Sequence, residues 1–378
     1  MKRIAVFVPG GLDAFNNGVH IPSLYQLIER LSTRFQIIAY SLRNRRDLPS
    51  ANRCGDATVK YLHCTNAASW PAKVWAFRSA FVNDHSGNPF DAIHARLGLP
   101  AELAAVLLGK YFRVPSCITF VGSETANLAN EQYGNLRTEP ARGVTHWIAR
   151  EADALVLLTR YQLTQLDRTR LAHAHISIIP EGADTSRFVP LHRPLSAIVN
   201  FLSVGNIHPL KDHETLLQTF ALILKKMPAR LRIIGEDQRQ SKMLALARLL
   251  GIESQVEFLG YIPPDSLPNH YRWANVFLHT SLYEGQSVAV AEAAAAGLLV
   301  AGTNVGLLHD LGEDKVILSA PRDPAGLAAS VIRALREPIR CANLRRLSTA
   351  WASEYNLDWT VRQYEMLLSS LQSPLRTK

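Results

Sequence analysis

The chain has 378 residues, 47% of them hydrophobic, and a formal net charge of +9. That length suits two domains of ordinary size with real cores, and no apolar run approaches the roughly 18 residues of a transmembrane span. The positive balance suits anionic partners, nucleotide phosphates or an anionic membrane surface, and no helix-turn-helix, zinc-finger or RNP pattern points to nucleic acid. The opening MKRIAVFVPGG has too short an apolar core for a signal peptide, so a cytoplasmic protein is expected. Cys54, Cys64, Cys117 and Cys341 form no CxxC pair, and free thiols are expected.

Residues 4–8 read as a buried first strand that runs into Gly10-Gly11. A helix is expected over about 19–32, with Leu24, Leu27, Ile28 and Leu31 on one face, and a second strand over 35–40. The glycine pair either lets backbone approach a ligand or is a tight turn only. It lacks G-x-G-x-x-G, which disfavours an NAD-type site. Arginines then cluster at Arg43, Arg45, Arg46 and Arg53. The run WPAKVWAFRSAF sets Trp70, Val74, Phe77 and Phe81 on one helical face, with Lys73 and Arg78 off it. Such a helix either lies on a membrane surface or packs on a sheet. Residues 91–95 read as a strand end carrying His94, either a site residue or a packed one. A helix over 99–111 and a strand over 115–120 lead to Val121-Gly122-Ser123-Glu124. A strand over 176–179 follows, then Pro180-Glu181-Gly182-Ala183-Asp184 and a linker holding Pro190, His192, Arg193 and Pro194.

In the second half, residues 201–204 read as a strand ending at Gly205, with Asn206 next. Lys211 stands at the opening of a helix over 214–226, whose inner face is Leu216, Leu217, Phe220 and Leu224. A cation beside a helix N-terminus stabilises a departing diphosphate; a surface lysine is the plainer alternative. Further strands are expected over 231–234, ending at Gly235, and over 256–262. The most informative stretch is NVFLHTSLYEGQSVAVAEAAAAGLLVAGTNVG, from Asn275 to Gly306. It reads as a strand over 276–278, a turn over 281–285, an Ala-rich helix over 287–296 and a strand over 298–301. Gly297 stands where a glycine ends a helix. In such a β-α-β unit the first loop opens at the carboxyl edge of the sheet, where ligands bind. The helix aims free N–H groups, those near Val288, at that loop. Gly285 and Ser287 leave room for a phosphate, and Gln286 adds an amide for a sugar hydroxyl. Glu284 and Glu292 flank the spot, and carboxylates accept from hydroxyls. Together these describe a nucleotide sugar. Taken singly, each glutamate also fits a helix-dipole or solvated-face role.

Glu284-Gly285, Glu292-Ala293, Gly297 and Val305-Gly306, with eight positions from 284 to 292, resemble the E-x7-E signature of the family-4 retaining glycosyltransferases. The likeness extends to residues 152–159, to 180–188 and to Asp358-Trp359 near the end. It implies an α/β fold of the GT-B kind, two Rossmann-like doubly wound domains facing across a cleft. Residues 1–190 would be the acceptor-side domain and 195–355 the donor-nucleotide domain, with 356–378 a helix crossing back. The resemblance implies transfer of a hexose-type sugar from a nucleoside diphosphate sugar to a hydroxyl of a glycan or lipid-linked acceptor, with retention. No metal or cofactor is implied, and no Asp-x-Asp motif is present. Glu284 would bind the transferred sugar and Lys211 the diphosphate. Glu292 would take the ribose diol. Gly11, Asn206, Gly235, Gly285, Gln286, Ser287 and Val288 would complete the donor site, and His94, Gly122 and Glu124 would lie on the acceptor side. Val121 and Asn206 replace a family His and Arg, and Gln286-Ser287 stands where Phe-Gly is frequent. The alternatives are a nucleotide-sugar-binding subunit without activity and an epimerase or hydrolase of the same fold. A peripheral place at the inner membrane face is expected if the acceptor is lipid-linked.

Overall fold

The computed structural model describes residues 1–12, 21–43, 51–64, 68–171, 175–191 and 197–372. Val19, Arg45, Arg46, His192, Arg193 and Pro194 therefore lie outside the described residues. The chain divides into two compact units, Met1–Pro180 with the segment from Thr360, and Glu181–Trp359.

In the first unit the strands are β1 (Arg3–Val8), β2 (Gln36–Arg43), β3 (Ala51–Cys54), β4 (Ala57–His63), β5 (Ala92–Arg96), β6 (Ser116–Phe120), β7 (Ala154–Leu157) and β8 (Ile176–Ile178). They form one sheet in the order β3-β4-β2-β1-β5-β6-β7-β8, parallel except at the β3–β4 hairpin. Its helices are α1 (Pro22–Ser32), α2 (Trp70–Gly87), α3 (Leu99–Phe112), α4 (Ala141–Glu151) and α5 (Arg160–Gln165). Every residue of β1 is buried, as a parallel strand covered on both faces requires. α1 buries Leu24, Leu27, Ile28 and Leu31, the expected stripe. On α2, Phe77 and Phe81 are buried and Trp70 and Val74 pack against the same core. Phe7 of β1 stacks on Phe77 at 4.9 Å, so this face packs on the sheet. Trp75 is left 62% exposed, with the Arg78 guanidinium 4.8 Å over its ring. Thr159 caps α5 by accepting from the Gln162 amide at 3.3 Å. The sequence reading did not anticipate β3, β4 or α4.

In the second unit the strands are β9 (Val199–Val204), β10 (Ala229–Ile234), β11 (Val256–Phe258), β12 (Val276–His279), β13 (Leu299–Thr303) and β14 (Ile317–Ser319). The sheet runs β11-β10-β9-β12-β13-β14 and is parallel throughout. Its helices are α6 (His213–Leu224), α7 (Lys242–Leu249), α8 (Leu267–Trp273), α9 (Val288–Ala295), α10 (Gly306–Leu311), α11 (Pro324–Arg336) and α12 (Pro338–Glu354). α6 buries Leu216, Leu217 and Phe220, with Leu224 packed beside them. The chain adds β10 and β11 on one side of β9, then returns to add β12 on the other. Loops leaving β9 and β12 thus part in opposite directions, which opens a crevice at their carboxyl ends.

α12 is followed by one more helix, α13 (Leu357–Ser370). The break comes at Asn356, whose side chain accepts from the Trp359 amide at 2.9 Å and caps the second helix. From Thr360 on, α13 belongs to the first unit. Thr360 donates to the Pro180 carbonyl at 2.7 Å, and the Tyr364 hydroxyl meets Thr119 Oγ1 at 3.1 Å. All four cysteines are free thiols, and burial pushes Cys54 and Cys117 up to about 12. Among the described residues, no helix is long and apolar enough to cross a membrane.

Candidate active site

The crevice between the β9 and β12 loops holds the polar centre of the second unit. After β9, a short 3-10 turn over Pro209–Lys211 delivers Lys211 to the start of α6. After β12, the loop brings Glu284 to the same point. Lys211 Nζ donates to Glu284 Oε1 at 2.6 Å. Ser281 Oγ donates to the same oxygen at 2.6 Å, and His279 Nε2 lies 3.1 Å from it. Further hydrogen bonds hold the two loops together. Leu282 N donates to the Leu210 carbonyl at 2.8 Å, and Thr280 Oγ1 donates to the carbonyls of Lys211 and Asp212 at 3.1 and 3.0 Å.

The electrostatics follow from this packing. Burial pushes the Glu284 carboxyl up, but the Lys211 ammonium and the His279 contact outweigh it, so the group is held well below the usual carboxylate range. Glu284 is therefore ionised. Its Oε1 is saturated, while no hydrogen bond from a described residue reaches Oε2. Among the described residues that oxygen is an open acceptor.

Glu284 leads directly into α9. Ser287 sits at the helix start with φ +84°, and no side chain caps the helix. Val290 N donates to the Ser287 carbonyl at 3.2 Å, and the N–H groups of Val288 and Ala289 are those the helix start leaves for a ligand. Gly285 is buried, whereas Ser287, Val288 and Ala289 are part-exposed. Gly306 closes the back of this loop at φ +54°. A side chain there would meet the Gln286 carbonyl and Glu284 Cβ, each at 2.7 Å, so only glycine lets the two segments approach.

Gln286 corrects one expectation. Its side chain is 3% exposed, accepting from the Glu181 amide at 2.6 Å and donating to the Glu181 carbonyl at 2.7 Å. Both ends of the amide are spent on backbone, so it staples residue 181 to this unit and does not read a sugar hydroxyl. Residues 181–191 accordingly pack with the second unit, where Leu191 N donates to the Ala296 carbonyl at 3.4 Å.

Glu292, on the second turn of α9, accepts from the Tyr271 hydroxyl at 2.6 Å. Burial pushes its carboxyl up to about 7, against the opposing pull of the Tyr271 hydrogen bond and of Arg187. Tyr271 is itself fixed edge-on to Phe188 at 5.1 Å. Nearby, Gly235 packs so tightly on the preceding turn that a side chain would sit 2.2 Å from the Gly205 carbonyl. Asn206 is exposed, and its side chain accepts from the Glu236 amide at 3.0 Å, tying these two strand-end turns together.

The remaining candidates lie in the first unit. The Gly11 carbonyl accepts from Ile21 N at 3.1 Å. His94 is fully buried on β5, its Nε2 3.0 Å from Thr119 Oγ1, and burial holds it near 3. It is a neutral core residue, and the packed alternative describes it. Glu124 is also buried and accepts from the Gly122 amide at 2.7 Å. His279, Ser281 and Tyr271 escaped the sequence reading. His279 and Ser281 carried a signal: two residues apart on extended chain, they share a face, five and three positions before Glu284. Tyr271, on α8, carried none.

A family model described as "Glycosyl transferases group 1" matches residues 199–337, and one described as "Glycosyl transferase 4-like domain" matches residues 18–182. The D-inositol 3-phosphate glycosyltransferase of Geodermatophilus obscurus is 29% identical over 323 residues, covering 78% of this chain and 71% of its own length. That of Acidothermus cellulolyticus is 28% identical, covering 94% of this chain and 85% of its own. Sucrose-phosphate synthase from Thermosynechococcus elongatus superposes with a TM-score of 0.85 at 21% identity, over 98% of this chain and 99% of that one. Anabaena HepE, solved with UDP and glucose, gives 0.75 at 16%, over 98% and 100%. With both halves of the chain matched, one by each family model, and the architecture of the GT-B enzymes reproduced, the chain belongs to the group 1, family-4-like glycosyltransferases.

Proposed function

We propose that the protein moves a hexose-type sugar from a nucleoside diphosphate sugar to a hydroxyl of a glycan or lipid-linked acceptor, with retention and without a metal ion. The observation that carries this is the pairing of Lys211 with an ionised Glu284 whose Oε2 is open, beside an uncapped helix start. The diphosphate would take Lys211 and the N–H groups of Ser287 and Val288, where charge develops as the bond to the sugar breaks. Glu284 Oε2 would accept from a hydroxyl of the transferred sugar, and Glu292 from the ribose diol. Glu284 is a poor base at so depressed a pKa. The proton of the attacking hydroxyl therefore goes to the departing phosphate oxygen as the new bond to the anomeric carbon forms. That same-face exchange retains configuration. The HepE structure with UDP and glucose makes a uridine nucleotide the first donor to try.

A thermal-shift panel of nucleotide sugars, followed by donor hydrolysis and NMR of the product anomer with and without EDTA, tests the reading. Retention with EDTA-insensitive turnover is expected. An inverted product, or binding without turnover that Glu284→Ala leaves unchanged, overturns it; the latter outcome describes a binding subunit.

A further inference from the structure

The contacts on Glu284 fall into two kinds. Lys211 supplies a charge, and Ser281 and His279 supply neutral hydrogen bonds to the same oxygen. The proton positions follow from counting donors. Ser281 spends its one hydroxyl proton on Glu284 Oε1 at 2.6 Å. His279 Nε2 lies 3.1 Å from Ser281 Oγ and 3.1 Å from Glu284 Oε1, both now acceptors. The ring hydrogen must therefore sit on Nε2 and be shared between them. The ring is 3% exposed and stacks on Phe277 with 16° between planes, which fixes its direction. Ser281 is fixed too, since Thr303 Oγ1 donates to its carbonyl at 2.6 Å.

We propose that His279 and Ser281 are positioning residues, a neutral clamp that holds Oε1 so that Glu284 keeps presenting Oε2 while Lys211 is drawn to the donor's phosphates. The proposal rests on the site reading above. A diphosphate carries more negative charge than one carboxylate, so its arrival competes for Lys211. Without other donors, Glu284 would be left as a part-buried charge with no partner, and it would turn or take up a proton. The clamp removes that cost. It carries no net charge itself, so it neither attracts nor repels the phosphates. It also leaves the carboxylate one free oxygen, which suits a single sugar hydroxyl.

The test uses UDP and UDP-glucose as probes on the full chain, with His279→Ala, His279→Gln, Ser281→Ala and Lys211→Ala. The two alanine variants of the clamp should bind UDP as the wild type does and lose about tenfold or more in UDP-glucose turnover. His279→Gln, whose amide N–H can overlay Nε2, should recover most of that loss. Lys211→Ala should weaken UDP binding itself. Unchanged turnover in His279→Ala and Ser281→Ala, with Lys211→Ala impaired, overturns the clamp and leaves the site reading standing. Weakened UDP binding in the clamp variants also overturns it. If Lys211→Ala leaves UDP binding untouched, the site reading fails and the clamp fails with it.

Discussion

The two units share a parallel-sheet plan with one reversal of strand order, yet the candidate groups of each are held differently. In the second unit, Lys211 and Glu284 meet charge to charge at the carboxyl edge, and one carboxylate oxygen stays open. In the first unit the comparable groups are sealed. His94 is fully buried and neutral against Thr119. Glu102, also fully buried, accepts from the Gly98 amide at 3.2 Å, and burial together with the Glu124 charge pushes its carboxyl well up. A buried group without an opposite charge gives up its own, whereas a paired one keeps it. Topology supplies a crevice in both units. An opposite charge and an open acceptor make the second one a site.

The largest test of this contrast removes the pairing. Lys211→Ala should lower donor turnover about 100- to 1,000-fold, as expected for removing one preorganised stabiliser of the leaving group; a loss under threefold would break the comparison. Next, Gly306→Ala forces a side chain onto the Gln286 carbonyl and Glu284 Cβ at 2.7 Å with φ at +54°. It should cost about 3 kcal/mol in urea unfolding and disturb Glu284 as well.

A smaller effect should come from Glu292, whose carboxyl is pushed up to about 7 from a usual 4.5. A raised acid is stabilising below its unfolded value, and that contribution is lost as pH rises through the folded one. Glu292→Gln should therefore gain on the order of 3 kcal/mol relative to the wild type between pH 4.5 and pH 8. If ionised Glu292 takes the ribose diol, wild-type donor affinity should also rise from pH 6 to 8, and the Gln variant should be flat. Affinity that is flat in both assigns the ribose elsewhere. The smallest effect sharpens the other side. His94→Gln should leave donor turnover within about twofold and cost about 1 kcal/mol of stability, the scale of one hydrogen bond. A loss of turnover with stability intact would return His94 to the chemistry.

The sequence by itself determined the elements that obey a local period. The stripe of α1, the buried run of β1 and the strand, Ala-rich helix and glycine at Gly297 were all legible, because burial imposes spacing on apolar residues. Lys211 and Glu284 were legible as individual candidates. β4 was missed although it alternates, Ala57, Val59 and Tyr61 buried with polar residues between, and the cap at Asn356 that starts the last helix was not read. Only the tertiary structure decided which polar atoms were already spent. Gln286 and Glu284 stand two residues apart in one loop, yet one amide is consumed by the Glu181 backbone and one carboxylate keeps an oxygen that no described residue bonds. His94, a lone histidine in the sequence, is closed into the core by Thr119 and Tyr364, residues 25 and 270 positions away. Hydrogen-bond saturation is set by partners brought from far along the chain, and no local pattern records it.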